Sequence, residues 1–470
     1  MPDASPAHRS RLRPLAEGLL LLSIAVLGLR TWCLQGLIVP CRVVSGSMAT
    51  ALLGSHRDVI CADCAARFAC AADPSHVAGR AVCPNCGHPA DDLNVPPEVA
   101  GDGVLIQRSV FQFRRPRRWE VVAFRRRSQA DRIHVKRVVG TPGESIEIRQ
   151  GDVYVNGRIT RKTLSQQRAL AILVHDAEHR PTIEPAPPPR WRGRDPDGLW
   201  GSAEGRFAHP PAADGESIDW LEYRHWHRLP GKQHRIREGP IRDVCTYNQS
   251  QPRRDEDTNV VTDLLLSFRL VRTAGNGRLA IRVTDGWKEF QVWIDPSAHR
   301  YEVLQDGHPL ADPGAVGKLP RLADGLMLEI SLFDQQFLLA LAGRPVLAWP
   351  YDRPEGAARP VSRPLAIGSE ALEVLIDQVR VYRDVYYTHP IGVRGRWGLE
   401  EPVRLAAEEY FVLGDNSPVS EDSRTWPEGP AVLAKLLVGK PLLVCYPARV
   451  VDLGPWRFQV PDPRRIRYIR

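Results

Sequence analysis

Three groups of residues in this 470-residue chain have types and spacings that could do chemistry. The first is the turn-like run Ser45-Gly46-Ser47-Met48. A serine hydroxyl attacks a carbonyl only when a base removes its proton, and no Gly-x-Ser-x-Gly elbow surrounds Ser47 to suggest a histidine-based triad. The second is Lys136, set among Ile133, Val135, Val138 and Val139 in a strand-like run. Apolar neighbours that desolvate a lysine depress its pKa, so a neutral Lys136 amine could be the missing base. The third is Cys61-x-x-Cys64, followed 18 residues later by Cys83-x-x-Cys86. Two such knuckles supply four thiolates for tetrahedral zinc, with disulfides as the rival outcome in an oxidising compartment. Four thiolates leave no open coordination position, so a metal held there is structural. Each group also has an ordinary reading: Ser45 and Ser47 as turn or cap serines, and Lys136 as a surface strand lysine.

The elements that must position these residues are mostly strands. With 43% hydrophobic and 25% charged residues the chain is a folded protein of two or three domains, not a disordered one. Its formal charge is +8, but the basic residues are scattered and no basic tract is interleaved with aromatics, which speaks against nucleic acid as a partner. Residues 15–39 are largely apolar and are expected to form a transmembrane anchor, although Arg30 interrupts the run. Arg9, Arg11 and Arg13 precede it, which puts residues 1–14 in the cytoplasm and the rest of the chain outside. Short strand-like runs such as "WEVVAF", "RIHVKRVVG" and "DVYVNG" follow, then a Pro-rich bridge. Seven or more regular strands separated by Asn-Gly and Asp-Gly pairs come next and predict an antiparallel sandwich. The expected fold class is mainly β.

Taken together, "SGSM" beyond an apolar segment, "HVKRVVGTPGESIEI" with "GDVYVNG", and "YFVLGDNSPVSEDSRTW" with "LVGKPLLVCYP" resemble the bacterial type I signal peptidases. The resemblance covers about 140 residues, in three blocks in the family's order. It implies that Ser47 is the nucleophile and Lys136 the general base of a Ser-Lys dyad. It also implies that Ser45 helps form the oxyanion hole, that Ser420 hydrogen-bonds the lysine amine, and that Asp422 and Arg424 form a supporting ion pair. Ser417 is the alternative partner of the lysine. Three departures stand out: Val44 replaces the family's proline before the first serine, Thr50-Ala51 replaces Pro-Thr, and Arg118-Trp119-Glu120 replaces Arg-Gly-Asp.

The resulting architecture is a catalytic core of residues 40–55, 99–164 and 388–470, split by two insertions. Residues 56–98 are zinc-ribbon-like and are expected to form a structural knob, with Cys61, Cys64, Cys83 and Cys86 as metal ligands. Residues 165–387 resemble concanavalin A-like or laminin G-like jelly rolls. Trp226, Trp287 and Trp293 there could stack on a glycan, His225, His227 and His234 read as surface residues, and no carboxylate pair suggests a glycosidase. The functional expectation is a membrane-bound serine endopeptidase at the outer face of the cytoplasmic membrane. It would remove signal peptides from exported preproteins without a catalytic cofactor. The competing expectation is a non-enzymatic envelope adaptor that binds glycans or proteins through the insertions and retains a relic core.

Overall fold

The strand Val121–Arg126 opens Val-Val-Ala-Phe, and these four side chains are fully buried, as expected for a strand covered on both faces. It pairs antiparallel with Gln129–Gly140 in a register that sets Val122 opposite Lys136. The computed structural model describes residues 12–30, 36–72, 81–89, 97–211, 217–229, 232–248, 257–321, 325–354, 356, 359–453 and 456–469. With 47% strand and 11% helix, the protein is mainly β.

The sheet that carries Lys136 runs in the order Ile38–Arg42, Gly103–Gln107, Leu437–Tyr446, Val121–Arg126, Gln129–Gly140, Glu409–Leu413 and Ala431–Leu433. Its strands therefore come from both sides of the long central segment. A smaller sheet of Arg158–Ile159, Asp152–Val155, Ser145–Arg149 and Val403–Arg404 adjoins it. Between them in sequence, two eight-stranded antiparallel sheets are formed by the described residues from Ile172 to Arg383. Their facing apolar residues make one core, in which Phe290 and Phe337 stack with ring centroids 4.6 Å apart. The Asp-Gly signal does what the sequence predicts between Arg300–Gln305 and His308–Pro309: Asp306 and Gly307 have φ of 50° and 81°, the left-handed pair of a two-residue hairpin.

The anchor differs from expectation. An α-helix covers Leu12–Gly28, and its Leu19 to Leu22, Ile24, Val26 and Leu27 are each more than half exposed. Seventeen residues rise only ~26 Å, short of a ~30 Å hydrocarbon core, and no helix among the described residues is long and apolar enough to cross a membrane. At the other end of the expected span, Ile38 and Val39 belong to a strand paired with Gly103–Gln107. Residues 1–11 and 31–35, part of the expected cytoplasmic segment and anchor, lie outside the described residues.

The cysteine segment also differs, because it is clasped to the sandwich and does not stand apart as a knob. Arg228 donates to Asp63 at 2.6 Å and to the Cys86 carbonyl at 2.7 Å. Asn85 donates to the His179 carbonyl at 2.7 Å and accepts from the Asp176 N–H at 2.8 Å. The four Sγ atoms lie within 4.8 Å of one another, with Cys61–Cys86 and Cys64–Cys83 each at 3.6 Å. These separations exceed a ~2.05 Å disulfide bond and approach the ~3.8 Å edge of a tetrahedron with ~2.3 Å Zn–S bonds. The donor set fits structural zinc, and all four thiols are free and buried.

Other polar residues are likewise drawn inward. His225 is buried against Tyr223 and Arg190, at 2.9 and 3.0 Å, contrary to its expected surface position. His227 is half-buried and donates through Nε2 to the Pro240 carbonyl at 3.2 Å, while the side chain of His234 lies outside the described residues. Trp226 is buried beneath the Arg190 guanidinium, 4.0 Å from its ring centroid. Trp287 and Trp293 are half-buried, each with an arginine guanidinium over its ring, Arg359 and Arg278 respectively.

Lys162 joins the small sheet to the sandwich by a buried ion triad, with Nζ 2.5 Å from Asp334 and 2.7 Å from Asp384. Replacing Lys162 with Met should destabilise the protein by ~3–5 kcal/mol, because two buried carboxylates lose their counter-ion; urea unfolding measures it. Elemental analysis should find stoichiometric zinc in the purified protein. Cys61→Ser should lose that zinc and lower the melting temperature, whereas a zinc-free wild type that melts no lower than the zinc-loaded one would refute the metal site.

Candidate active site

Lys136 owes its setting to the strands on either side. Val122 faces it across one pairing, and Val412 and Leu413 pair with its neighbours Val138 and Arg137 across the other. The chain then leaves Leu413 and returns along the lysine through residues 414–424. Arg137 fixes the start of that return: its guanidinium grips Asp415 at 2.7 and 2.6 Å and donates to the Trp119 carbonyl at 2.7 Å, all buried. Trp119, where the related motif has glycine, adopts φ of 67°, a conformation rare for a bulky residue.

The lysine amine is buried, 4% exposed, and donates to Ser420 Oγ at 3.0 Å. Ser417 is not its partner, since the Ser417 hydroxyl accepts from Arg424 at 2.9 Å and from the Thr388 N–H at 3.0 Å. Asp422 and Arg424 are fully buried and joined by two hydrogen bonds of 2.9 and 2.8 Å. Asp422 also accepts from the Gly414 N–H at 3.0 Å. Burial pushes the Lys136 pKa down to about 8; Asp422 pulls it upward and Arg424 opposes that pull. The ion pair thus holds the loop while Arg424 offsets much of the negative field that would keep the lysine protonated.

Ser47 sits in the short 3-10 turn Gly46–Met48, and its Oγ lies 3.2 Å from Ser45 Oγ. Met48 is buried with Leu52, Val121 and Ala123 and ties the turn to the sheet. Gly414 lets the two serine segments meet: a Cβ there would lie 2.2 Å from Ser420 Oγ and 2.4 Å from the Ser47 carbonyl. Asn416 completes the clasp, with its N–H on the Ser47 carbonyl at 3.1 Å and its side-chain amide on the Gly46 carbonyl at 2.9 Å. Ser45, Ser47 and Lys136 line one open groove of about 880 Å³, together with Val44, Met48, Val104, Ile133 and Val135.

The structure therefore brings Ser45, Ser47, Lys136, Ser420, Asp422 and Arg424 into one neighbourhood, although Lys136 and Ser420 alone are 284 residues apart in sequence. Ser47 and Lys136 are each hydrogen-bonded to another serine in this resting arrangement. A change of Ser47 rotamer would be needed for proton transfer, as is common in enzymes without substrate. Cys61, Cys64, Cys83 and Cys86 form their own cluster and are not among the groove residues. His134 is half-buried and stacked on Phe124, with its pKa lowered by burial. Gly414, Asp415 and Asn416 were not singled out from sequence, although "GDNS" carried the signal. Tyr247 and Asn248, which also line the groove, lie in the long insertion and gave none.

Comparison with known proteins selects the lysine-bearing region. The family described as "Signal peptidase, peptidase S26" matches residues 88–186. Among curated proteins, "Probable signal peptidase I-2" of Synechocystis sp. is 35% identical over 63 residues, covering 12% of this chain and 29% of that protein. The chain thus spans under a third of that relative's length. Among solved structures, the carbohydrate binding module CBM66 from Bacillus subtilis aligns with 8% identity and a TM-score of 0.24, over 41% of this chain and 94% of that one. Caenorhabditis elegans galectin LEC-6 aligns with 12% identity and a TM-score of 0.19, over 25% and 81%. Similarity this low carries no argument about the sandwich. The similarity to signal peptidases thus rests on part of the chain.

Proposed function

We propose that the protein is a serine endopeptidase of the signal peptidase type, acting through Ser47 and Lys136 on exported preproteins. The observation that carries this reading is the buried Lys136 amine, held on Ser420 in the same groove as Ser47 with its pKa lowered to about 8. Near neutral pH an appreciable fraction of such a lysine is neutral and able to accept a proton, which an ordinary surface lysine is not.

In the proposed cycle Ser47 Oγ attacks the scissile carbonyl while Lys136 takes the hydroxyl proton. The Ser45 hydroxyl and the Ser47 N–H stabilise the developing oxyanion. The protonated lysine then gives its proton to the leaving amine, releasing it and leaving an acyl group on Ser47. Water, deprotonated by the now neutral Lys136, hydrolyses the ester and regenerates Ser47. The apolar groove residues Val44, Met48, Val104, Ile133 and Val135 suit small side chains next to the cut. No metal takes part in this scheme, and the cysteine site serves stability. The exposed apolar side chains of Leu19 to Leu22, Ile24, Val26 and Leu27 support a place at the cytoplasmic membrane, with the catalytic groove on the outer side.

Ser47→Ala and Lys136→Ala should each abolish cleavage of a purified preprotein while leaving the melting temperature close to wild type. Cleavage by either variant at the wild-type rate would exclude the dyad. Because the base works in its neutral form, kcat/KM should rise with pH and level off above about 8, the folded-state value for Lys136. A profile that is flat from pH 6 to 9 would argue against lysine as the base.

A further inference from the structure

The groove is not built from the peptidase strands alone. The short 3-10 turn Thr246–Asn248 belongs to the long insertion, yet Tyr247 and Asn248 line the groove beside Ser45, Ser47 and Lys136. Tyr247 is buried and packs directly over the nucleophile turn: a Cβ on Gly46 would lie 2.1 Å from Tyr247 Cε1, and its three nearest atoms would all belong to that ring. The Tyr247 hydroxyl donates to the Ser55 carbonyl at 2.9 Å, which anchors the ring at the far side of the same turn.

Asn248 makes the more informative contact. Its side-chain amide and that of Asn416 form a reciprocal pair, each Nδ2 donating to the other's Oδ1 at 2.7 Å. The other Asn416 Nδ2 hydrogen is then directed to the Gly46 carbonyl at 2.9 Å, while the Asn416 N–H holds the Ser47 carbonyl. A primary amide can flip, exchanging oxygen and nitrogen, and a flipped Asn416 would present an acceptor to the Gly46 carbonyl. The Gly46 carbonyl can only accept and so selects Nδ2 on its side, and a flip of Asn416 alone would also break both hydrogen bonds to Asn248. The insertion therefore adds two hydrogen bonds that favour the orientation in which Asn416 holds the turn carrying Ser47.

We infer that Asn248 and Tyr247 are positioning residues for the nucleophile turn, so that the sandwich insertion completes the active site rather than merely interrupting its sequence. This rests on the proposed Ser-Lys peptidase reading and extends it to two residues outside the peptidase strands. Neither residue touches the reacting bond in the proposed cycle; both act through Gly46, Ser47 and Asn416. A loose turn places Ser47 Oγ imperfectly against the carbonyl, and errors near 1 Å in reacting geometry cost ~10²-fold in rate.

The test is steady-state cleavage of a preprotein by the full chain, with melting temperature measured in parallel. Asn248→Ala should lower kcat about 10- to 100-fold with KM within about twofold of wild type and the same dependence on pH, since Lys136 is untouched. Asn248→Asp keeps an acceptor for Asn416 Nδ2 but loses the donor, and should fall between the two. Gly46→Ala should be nearly inactive because its methyl meets the Tyr247 ring, and Tyr247→Ala in the same chain should recover part of that loss. If wild type cleaves, Ser47→Ala does not, and both Asn248 variants match wild type, the inference is overturned while the peptidase reading stands. If a melting-temperature drop accounts for the loss, so that cooling restores wild-type kcat in both Asn248 variants, a positioning role is likewise refuted. If wild type cleaves no better than Ser47→Ala, the peptidase reading fails and this inference with it.

Discussion

Much of the structure around the groove bears on one buried lysine amine, whose pKa burial lowers to about 8. Desolvation alone would favour the neutral form, but an amine without hydrogen-bond partners is costly to bury, and carboxylates near it would restore the proton. Ser420 supplies the partner without charge. Asp422 lies close enough to raise the lysine pKa and is tied by two hydrogen bonds to Arg424, whose charge opposes it. The neighbouring Arg137–Asp415 pair repeats this logic one residue away, matching a buried cation to a buried anion. Two adjacent cations in one strand thus have opposite environments. Arg137 is directly neutralised by its carboxylate, whereas Lys136 is left with a hydroxyl.

That distinction requires accurate placement of the loop 414–424, and much of the surrounding structure bears on it. Gly414 permits contact between the Ser420 and Ser47 segments, Asn416 holds the turn, and the Ser417 hydroxyl is occupied by Arg424 and Thr388. Thr388 and Asn248 follow or belong to the long insertion, and Arg424 also donates to the Thr388 carbonyl. The sandwich, the cysteine cluster and the peptidase sheet are accordingly linked through hydrogen bonds and ion pairs and not simply joined by loops. Lys162 on one side and Arg228 on the other are the charged members of those junctions.

Legibility in the sequence followed the range of the interaction. The Asp306-Gly307 hairpin was readable because the conformational demand lies within the two residues themselves. The cysteine cluster was readable because knuckle spacing is local, even though its docking through Arg228 was not. Ser47 and Lys136 stood out by residue type and neighbours, but their pairing and the late serine block came only from resemblance, and the sequence could not choose between Ser417 and Ser420 as the partner of the lysine; the hydrogen bonds do. His225 looked like a surface residue because its type is usually exposed, whereas Tyr223 and Arg190 satisfy it in the interior. The apolar N-terminal run suggested one span, yet part of it serves as an edge strand, a choice made by pairing with residues 103–107. Asn248 had no local signal at all, since its partner lies 168 residues away.

Long-range clasping also bears on how the sheet that carries Lys136 accommodates so long a segment between its strands. An inserted domain adds little loop-closure cost when its ends are close, but it becomes harmful if its motion is transmitted to catalytic residues. Here the ends are pinned by Lys162 near the entry and by the buried segment around Val385 and Tyr387 near the exit. Pinned in this way, the sandwich segment stands beside the turn carrying Ser47 and can help to hold it. The reciprocal Asn248–Asn416 amides are effective for that purpose because their geometry is two-point and their charges are zero. A charged residue at the same place would keep only one of the two hydrogen bonds to Asn416 and would add its own field to the groove, and with it disturb the protonation of Lys136 on which the proposed chemistry depends.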